Sequence, residues 1–290
     1  RKVFDAETDK GRPYIVMEYV PGMHLTDFCD RHRVDLEGRL GLFQDVCDAV
    51  QHAHSKGIIH RDLKPSNILV MKREGESPLA KIIDFGVAKA TEASAAGDFS
   101  IHTMSGTPIG TWDYMSPEQA AGRVGKIDIR SDVYSMGVIL YELLTGLTPI
   151  DLEESASSSL MDVQQTIVRA EAPRPSTRLR DLGQRLDHIA DLRRTSGHGL
   201  TRVLRRDLDW VVMKAIEKDA ARRYQTAREL GDEVQRFLNN EPVLAGPPTA
   251  IYRIRKYVRR NRALVVGASA VFVVLIAGMA TSWVFYFRSQ

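Results

Sequence analysis

The feature that most constrains the fold is a polar octapeptide followed by an Asp-Phe-Gly triplet, with two apolar runs between them. The octapeptide, residues 60–67, reads His-Arg-Asp-Leu-Lys-Pro-Ser-Asn, and the triplet occupies residues 84–86. The runs at 68–71 and 80–83 have the length and the aliphatic composition of short buried strands. These two strands would bring the Asn at the end of the octapeptide and the Asp of the triplet to one edge.

The side chains gathered at that edge suit phosphoryl transfer, in which a protein mainly positions groups and stabilises charge. Asp62 can orient the incoming hydroxyl and accept its proton, and Lys64 can reach the transferred phosphate. The Asn67 amide and the Asp84 carboxylate supply the hard oxygen ligands that Mg²⁺ prefers. The sequence therefore predicts catalytic roles for Asp62, Lys64 and Asn67, and metal binding by Asn67 and Asp84.

Five motifs in a fixed order resemble the protein kinase superfamily. They are the catalytic loop at 60–67, the metal-binding triplet at 84–86, an Ala-Pro-Glu-like element at Ser116-Pro117-Glu118, the start of the buried helix that anchors the catalytic loop at 131–137, and Arg223, which stands where the family's Arg pairs with Glu118. The resemblance covers about residues 1 to 240, and the bacterial membrane-anchored Ser/Thr kinases are most similar. It implies an α+β, protein kinase-like fold made mainly of the helical C-terminal lobe, with ATP and Mg²⁺ as cofactors and protein substrates.

The resemblance also indicates which substrate group is phosphorylated. The combination of Lys64 with Thr111 in the substrate-facing loop resembles the pattern of Ser/Thr kinases rather than that of Tyr kinases. In the family this Thr bonds both Asp62 and Lys64. Aminoglycoside phosphotransferases share a His-x-Asp-x-x-x-x-Asn loop, but they lack the long segment between Asp84 and Glu118, which favours a protein substrate.

The resemblance further assigns nucleotide and regulatory residues. Contacts with ATP are implied for Glu18 and Val20 at the adenine, Leu69 below it, and Lys64, Asn67 and Asp84 near the phosphates. Arg61 resembles the Arg that pairs with a phosphate on the activation loop, and Thr107 has the spacing of the main phosphosite. Thr103 and Ser105 are flanking alternatives, and a merely polar loop is the other interpretation. Trp112 departs from the family pattern and leaves substrate preference open.

The first 21 residues resemble only a remnant of the N-terminal lobe, with two strands and the hinge. No Gly-x-Gly-x-x-Gly and no Val-Ala-Ile-Lys precede them in this sequence. We expect a chain that lacks most of the N-terminal lobe and is inactive alone. A membrane-tethered pseudokinase scaffold is the alternative function, and a membrane receptor with the kinase as its output is a third.

Residues 22–240 predict the helical C-terminal lobe. Helices are expected at 25–33, 38–56, 133–144, 208–216 and 226–238 from their apolar spacing and stop signals. Cys29 and Cys47 fall in predicted helices without metal-ligand spacing and are expected to be reduced. Residues 173–199 resemble a basic insertion whose arginines are either solvated or dock an acidic partner.

Charge is distributed unevenly along the chain. Up to residue 252 there are 33 basic and 37 acidic residues. Glu241 is the last acidic residue of the sequence, and the remaining seven basic residues all lie beyond it. The folded part therefore presents no basic excess of the kind that nucleic-acid binding needs. Residues 241–262 are predicted to be a basic juxtamembrane linker.

Residues 263–287 form a run of 25 residues without a charge, bounded by Arg262 and Arg288. As a helix it would be about 37 Å long, against a hydrocarbon core of about 30 Å, so a single transmembrane span is expected. Six basic residues just before it predict a cytoplasmic kinase side on an anionic inner leaflet, with 288–290 as an extracytoplasmic stub. Gly278 and Ser282 would permit a homodimer of such helices.

Overall fold

The computed structural model describes residues 3–9, 12–72, 75, 77–84, 109–152 and 160–247, position 249, and scattered positions from 252 on, of which 272–279 is the longest run. For residues 3–15, 17, 109–111 and 160 only the backbone is described.

Two small antiparallel sheets flank the hinge. The first pairs β1 (Val3–Asp9) with β2 (Arg12–Met17), and the second has the order β3 (Met23–His24), β4 (Ile68–Met71), β5 (Leu79–Ile82). The predicted strand pair on either side of the Asn67–Asp84 edge is confirmed, with Ile68 opposite Ile82.

A glycine is required where the hinge crosses the second sheet. A Cβ on Gly22 would lie 2.9 Å from the backbone oxygen of Val70 in β4. That separation is closer than side-chain carbons tolerate, so only glycine permits the backbones to approach here. The hinge is thereby held against the strand that follows the catalytic loop.

The rest of the described chain is helical. The α-helices are α1 (Leu25–Arg31), α2 (Leu36–Ser55), α3 (Pro117–Ala120), α4 (Ile129–Thr145), α5 (Leu160–Arg169), α6 (Pro175–Asp181), α7 (Arg185–Asp191), α8 (Gly197–Val203), α9 (Asp209–Ala215) and α10 (Ala227–Leu238). All five predicted helices are present, and their ends shift by a few residues. Helix α2 begins earlier than expected because the Asp35 carboxylate caps it, accepting from the Gly38 amide at 2.9 Å.

Helix α4 is the centre of the lobe. Nearly every residue from Ser131 to Thr145 is buried, as expected for a helix that is apolar on all sides but too short to cross a bilayer. At Gly137 a Cβ would approach the Ala215 Cβ to 2.7 Å, so α4 and α9 pack at very short range. Helices α2 and α10 complete the core around α4.

The basic insertion is more structured than the sequence predicted. Its residues form α6, α7 and the start of α8. The Arg193 side chain is only 2% exposed, so for it the predicted solvated surface is wrong. Arg193 donates to the backbone oxygens of Leu143 at 3.0 Å and Ile189 at 2.9 Å, and burial, aided by the nearby Arg39 charge, lowers its pKa to about 9. A buried guanidinium is tolerated here because carbonyls satisfy its donors.

In the part of the chain that the structure describes, no helix combines the length and apolarity needed to cross a membrane. The predicted span at 263–287 lies mostly outside the described residues. Its longest described run, 272–279, is helical with exposed side chains.

Candidate active site

The catalytic loop brings three of the predicted site residues into contact. Lys64 Nζ lies 3.2 Å from Asp62 Oδ2, and these two side chains are 21% and 25% exposed. The buried Asn67 donates from its amide nitrogen to the Asp62 backbone oxygen at 2.7 Å and lies 3.4 Å from Asp62 Oδ2. Its position is fixed by a 3₁₀ turn, Pro65–Asn67, that leads directly into β4. The Lys64 ammonium and the Asn67 amide thus both approach the same carboxylate oxygen, Oδ2, and the Asp62 side chain stays partly exposed.

The loop is anchored from below by Asp132, near the start of α4. One oxygen of its carboxylate accepts from the His60 amide at 2.8 Å, and the other accepts from the Arg61 amide at 2.8 Å. His54 Nε2 lies 2.8 Å from the first oxygen. Since Asp132 is 1% exposed, these bonds are what make its burial tolerable. His54 thus takes part in the support of the loop.

A second contact holds the same turn from the Ala-Pro-Glu-like element. Arg61 has a φ of +63°, which is unfavourable for an L residue, and its backbone oxygen accepts from Gln119 Nε2 at 2.7 Å. Gln119 is itself fixed by the backbone amide and hydroxyl of Ser116, at 3.1 and 2.9 Å. Sequence reasoning did not identify Gln119, although its place directly after Glu118 in the recognised element was a usable signal.

The predicted metal edge is formed by Asn67 and Asp84. The Ile83 amide donates to the Asn67 backbone oxygen at 2.8 Å, so Asp84 directly follows a residue bonded to Asn67. Asp84 has a φ of +55° and an exposed side chain. Beneath this edge, His60 Nε2 lies 3.2 Å from the Ile83 oxygen, and burial lowers the pKa of His60.

These residues fit a Mg²⁺ ion. The ion usually takes one or two protein oxygens and completes its shell with substrate phosphates and water. The Asn67 amide nitrogen donates to the Asp62 backbone oxygen, which leaves the amide oxygen available to the ion, and Asp84 contributes a carboxylate.

The predicted nucleotide residues lie on the hinge and the adjoining strand. Val20 is buried, while Leu69 in β4 is partly exposed and pairs with His24. The Glu18 carboxylate lies 3.2 Å from Lys81 Nζ, an ion pair that ties the hinge to β5. The hinge backbone at Gly22 therefore lies beside β4, the strand that directly follows Asn67.

Two of the predicted regulatory residues form a buried ion pair. Arg223 donates to both oxygens of the Glu118 carboxylate, at 2.8 Å each, and also to the backbone oxygen of Glu217 at 2.6 Å. Ser131 Oγ donates to the same carboxylate at 2.7 Å. Burial alone would raise the pKa of Glu118, but its hydrogen bonds with Arg223 and the Arg223 charge outweigh that effect and lower the pKa.

The other predicted regulatory positions are described only in part. The Thr111 backbone lies in a 3₁₀ segment, Ile109–Tyr114, and Thr107 lies outside the described residues, as do Thr103 and Ser105. In Arg61 the guanidinium Nε is buried and has no hydrogen-bond partner among the residues that the structure describes. The proposed pairing of Arg61 with a loop phosphate therefore stays a prediction.

Trp112, which departs from the family pattern, has a packing role. It is 4% exposed and lies in a small apolar cluster separate from the main core. The other buried members of this cluster are Ala120, Leu152, Val163 and Ile167. The indole thus joins the substrate-side loop to helix α5.

Comparison with known proteins agrees with this geometry. The sequence profile of the family described as "Protein kinase domain" matches residues 2–231. The Ser/Thr protein kinase PknB of Mycobacterium tuberculosis is 37% identical over 240 residues, which cover 82% of this chain and 32% of the relative. The Ser/Thr protein kinase Pkn1 of Myxococcus xanthus is 40% identical over 155 residues, covering 53% of this chain and 21% of the relative.

Solved structures show the same fold. The crystal structure of the kinase domain of Mycobacterium tuberculosis PknI is similar with a TM-score of 0.51 and 22% identity, over 81% of this chain and 71% of that one. The present chain spans about a third of the length of PknB. The chain belongs to the protein kinase domain family, and its relatives include bacterial Ser/Thr protein kinases.

Proposed function

We propose that this chain carries the catalytic site of a Ser/Thr protein kinase that transfers the γ-phosphoryl group of ATP to protein hydroxyls. The observation that carries the proposal is the cluster of Asp62, Lys64 and Asn67, held by Asp132 next to Asp84. The names of the bacterial relatives support Ser and Thr as the acceptors.

In the proposed reaction, Asp62 orients the substrate hydroxyl and accepts its proton as the oxygen attacks the γ-phosphorus of ATP. The bond from that phosphorus to the bridging oxygen breaks, and ADP leaves. Asn67 keeps the carboxylate in place through the Asp62 backbone, and Lys64, 3.2 Å from that carboxylate, stabilises negative charge on the phosphoryl oxygens. Asn67 and Asp84 would hold Mg²⁺, which when bound neutralises charge on the nucleotide phosphates.

The test is phosphate transfer by the full-length protein. With labelled ATP and Mg²⁺, we expect label on Ser and Thr peptides but not on Tyr peptides or aminoglycosides, and chelation of Mg²⁺ should stop the reaction. Label on the aminoglycoside would identify a small-molecule kinase. Nucleotide binding without transfer would favour a scaffold.

We also propose that the protein is a single-pass membrane protein with the kinase on the cytoplasmic side. Support comes from the uncharged run at 263–287 and from the six basic residues that precede it, at 253, 255, 256, 259, 260 and 262. Each basic residue near an anionic leaflet contributes about 1 kcal/mol of attraction.

This proposal predicts the location of the C-terminal side. An alkaline phosphatase fused after Gln290 should be active, because the enzyme folds only outside the cytoplasm, and a fluorescent protein fused there should be dark. Changing the six basic residues to Gln should weaken this orientation, since basic residues set it. In the unmutated chain, a bright fluorescent fusion together with an inactive alkaline phosphatase fusion would contradict the single span.

We further propose that phosphorylation of Thr107 activates the kinase through Arg61. A buried guanidinium nitrogen without a partner among the described residues is unfavourable, and a loop phosphate would supply charge-assisted hydrogen bonds. We therefore expect Thr107→Ala to lower phosphotransfer about tenfold or more at unchanged melting temperature, which corresponds to about 1.4 kcal/mol.

Mass spectrometry of the active enzyme should find phosphate on Thr107. Arg61→Ala should then remove the advantage of the phosphorylated form over the unphosphorylated form. Full activity in an enzyme with no phosphate from Thr103 to Thr107 would contradict the switch.

A further inference from the structure

A cavity of about 350 Å³ lies among α6, α8, α9 and the turn that joins α8 to α9. It shares no lining residue with the pocket at the catalytic loop. Four arginines and two threonines line it: Arg174, Arg180, Arg205, Arg206, Thr177 and Thr201. A cavity of this size can enclose a small ligand or a headgroup.

The positive charge at this cavity is not balanced within the described structure. All four arginines are exposed, and none forms an ion pair with a described residue. The carboxylate in the wall, Asp209, is 2% exposed and accepts from the Ser176 hydroxyl at 2.6 Å and the Ser176 amide at 2.9 Å. One carboxylate against four guanidinium groups leaves a positive field that the cavity walls concentrate.

The backbone is strained at the point that delivers two of these arginines. Arg206 has φ +88° and ψ −84°, and Arg205 before it has left the helical conformation. A non-glycine residue in such a region costs about 1–3 kcal/mol and persists only where its surroundings impose it. The Arg206 amide lies 3.4 Å from an Asp209 carboxylate oxygen, which helps to fix the turn. The strained turn places two successive guanidinium groups at one cavity.

We propose that this cavity binds a phosphate group, either as inorganic phosphate or on the headgroup of an anionic lipid. Guanidinium groups match phosphate oxygens with paired N–H donors, and threonine hydroxyls can add further hydrogen bonds. Arg180 Nη2 already lies 3.5 Å from Thr177 Oγ1, so the two donors converge.

The possibility that a lipid headgroup supplies the phosphate rests on the membrane anchoring proposed above. Trp210 lines the cavity, and its ring contacts that of Tyr252 edge-on, with centroids 5.7 Å apart. Tyr252 belongs to the linker that precedes the predicted span. Lys256 in the same linker lies 2.5 Å from an oxygen of Asp207, the residue after Arg206. This side of the lobe is therefore connected directly to the juxtamembrane segment.

Hydrogen exchange of the full chain in lipid nanodiscs tests the proposal. In phosphatidylcholine discs, phosphate at about ten times its Kd should slow amide exchange in 175–181 and 204–209 about tenfold, relative to chloride at equal ionic strength. Discs containing phosphatidylglycerol should give the same protection without added phosphate if the lipid is the source.

The variant Arg174→Ala, Arg180→Ala, Arg205→Ala should lose this protection. Arg206 is kept so that the strained turn stays unchanged. The control variant Arg169→Ala, Arg185→Ala, Arg228→Ala removes three exposed charges that do not line the cavity, and it should keep the protection. Melting temperatures close to that of the unmutated chain confirm that both variants fold.

Protection by phosphate alone identifies free phosphate as the ligand, and protection by the anionic discs identifies the lipid. Equal protection by chloride, or equal responses of the two variants, would overturn the site. Protection only by a phosphopeptide would also overturn it, in favour of a protein partner. Because no ATP is used, these results do not depend on whether the protein transfers phosphate.

Discussion

Asp62→Asn is expected to lower kcat for phosphotransfer about 1,000-fold, with little change in the KM for ATP. A positioned proton acceptor typically contributes about 10²- to 10⁴-fold, and a factor of 1,000 corresponds to about 4 kcal/mol. The effect should fall on kcat because the carboxylate acts mainly in the transition state. Initial rates with a Ser/Thr peptide and the full-length protein provide the measurement.

The matched control is Asp48→Asn, which removes an exposed carboxylate from α2 and should leave both constants unchanged. The Asp62 variant should keep its melting temperature, because Asn is nearly the same size and the bond from Asn67 goes to the backbone. A tenfold loss corresponds to only about 1.4 kcal/mol of activation free energy. Activity above about a tenth of the unmutated rate would therefore show that Asp62 is not the proton acceptor.

Arg223→Ala is expected to reduce the free energy of unfolding by about 3–5 kcal/mol, because it leaves the buried Glu118 carboxylate without its charged partner. Three further bonds, to the backbone oxygens of Arg130, Glu217 and Lys218, are lost with it. Urea denaturation followed by circular dichroism measures the change. Ser131 alone cannot replace the ion pair, since a neutral donor compensates a buried charge only in part.

The neighbouring Arg222 provides the control. Its ion pair with Asp219 is exposed, at 75% and 61% side-chain exposure, so Arg222→Ala should cost no more than about 1 kcal/mol. Equal losses in the two variants would show that burial of the Glu118 pair is not what stabilises this part of the lobe.

The pH dependence of the Arg223 effect is fixed by the lowered pKa of Glu118. A depressed carboxyl pKa stabilises the folded state fully above the ordinary value of 4.5, and the stabilisation is lost as pH falls toward the folded value. The stability difference between the unmutated protein and Arg223→Ala should therefore be largest above that value and shrink in more acidic solution.

Much of the site could be predicted because its parts are close in sequence. Asp62, Lys64 and Asn67 fall within six residues, and a short strand pair suffices to bring Asp84 to Asn67. The alternation of apolar runs and turn residues carries that information locally. The buried helix α4 was also evident, since a run of apolar residues on all sides has no other stable location in water.

The contacts that hold the site were decided by tertiary packing. The Asp132 carboxylate meets the His60 and Arg61 amides across more than 70 residues, and no local pattern encodes which buried donors it will reach. The same is true of Arg193, whose charge in a polar run predicted exposure, but whose donors are satisfied by carbonyls at the end of α4. Trp112 departs from the family pattern, and only the tertiary structure shows that its indole packs in a small apolar cluster.

The sequence by itself thus predicted the residues of the candidate site, because the proposed chemistry depends on residue types at short spacing. The resemblance indicated that the helix starting near 131–137 anchors the loop, but the sequence could not determine which buried groups bond to it, since long-range partners are selected by the need to satisfy every buried donor and acceptor at once. Nor could it show that Arg174 and Arg180 share one cavity with Arg205 and Arg206, because only the packing of α6 beside the strained turn brings them together.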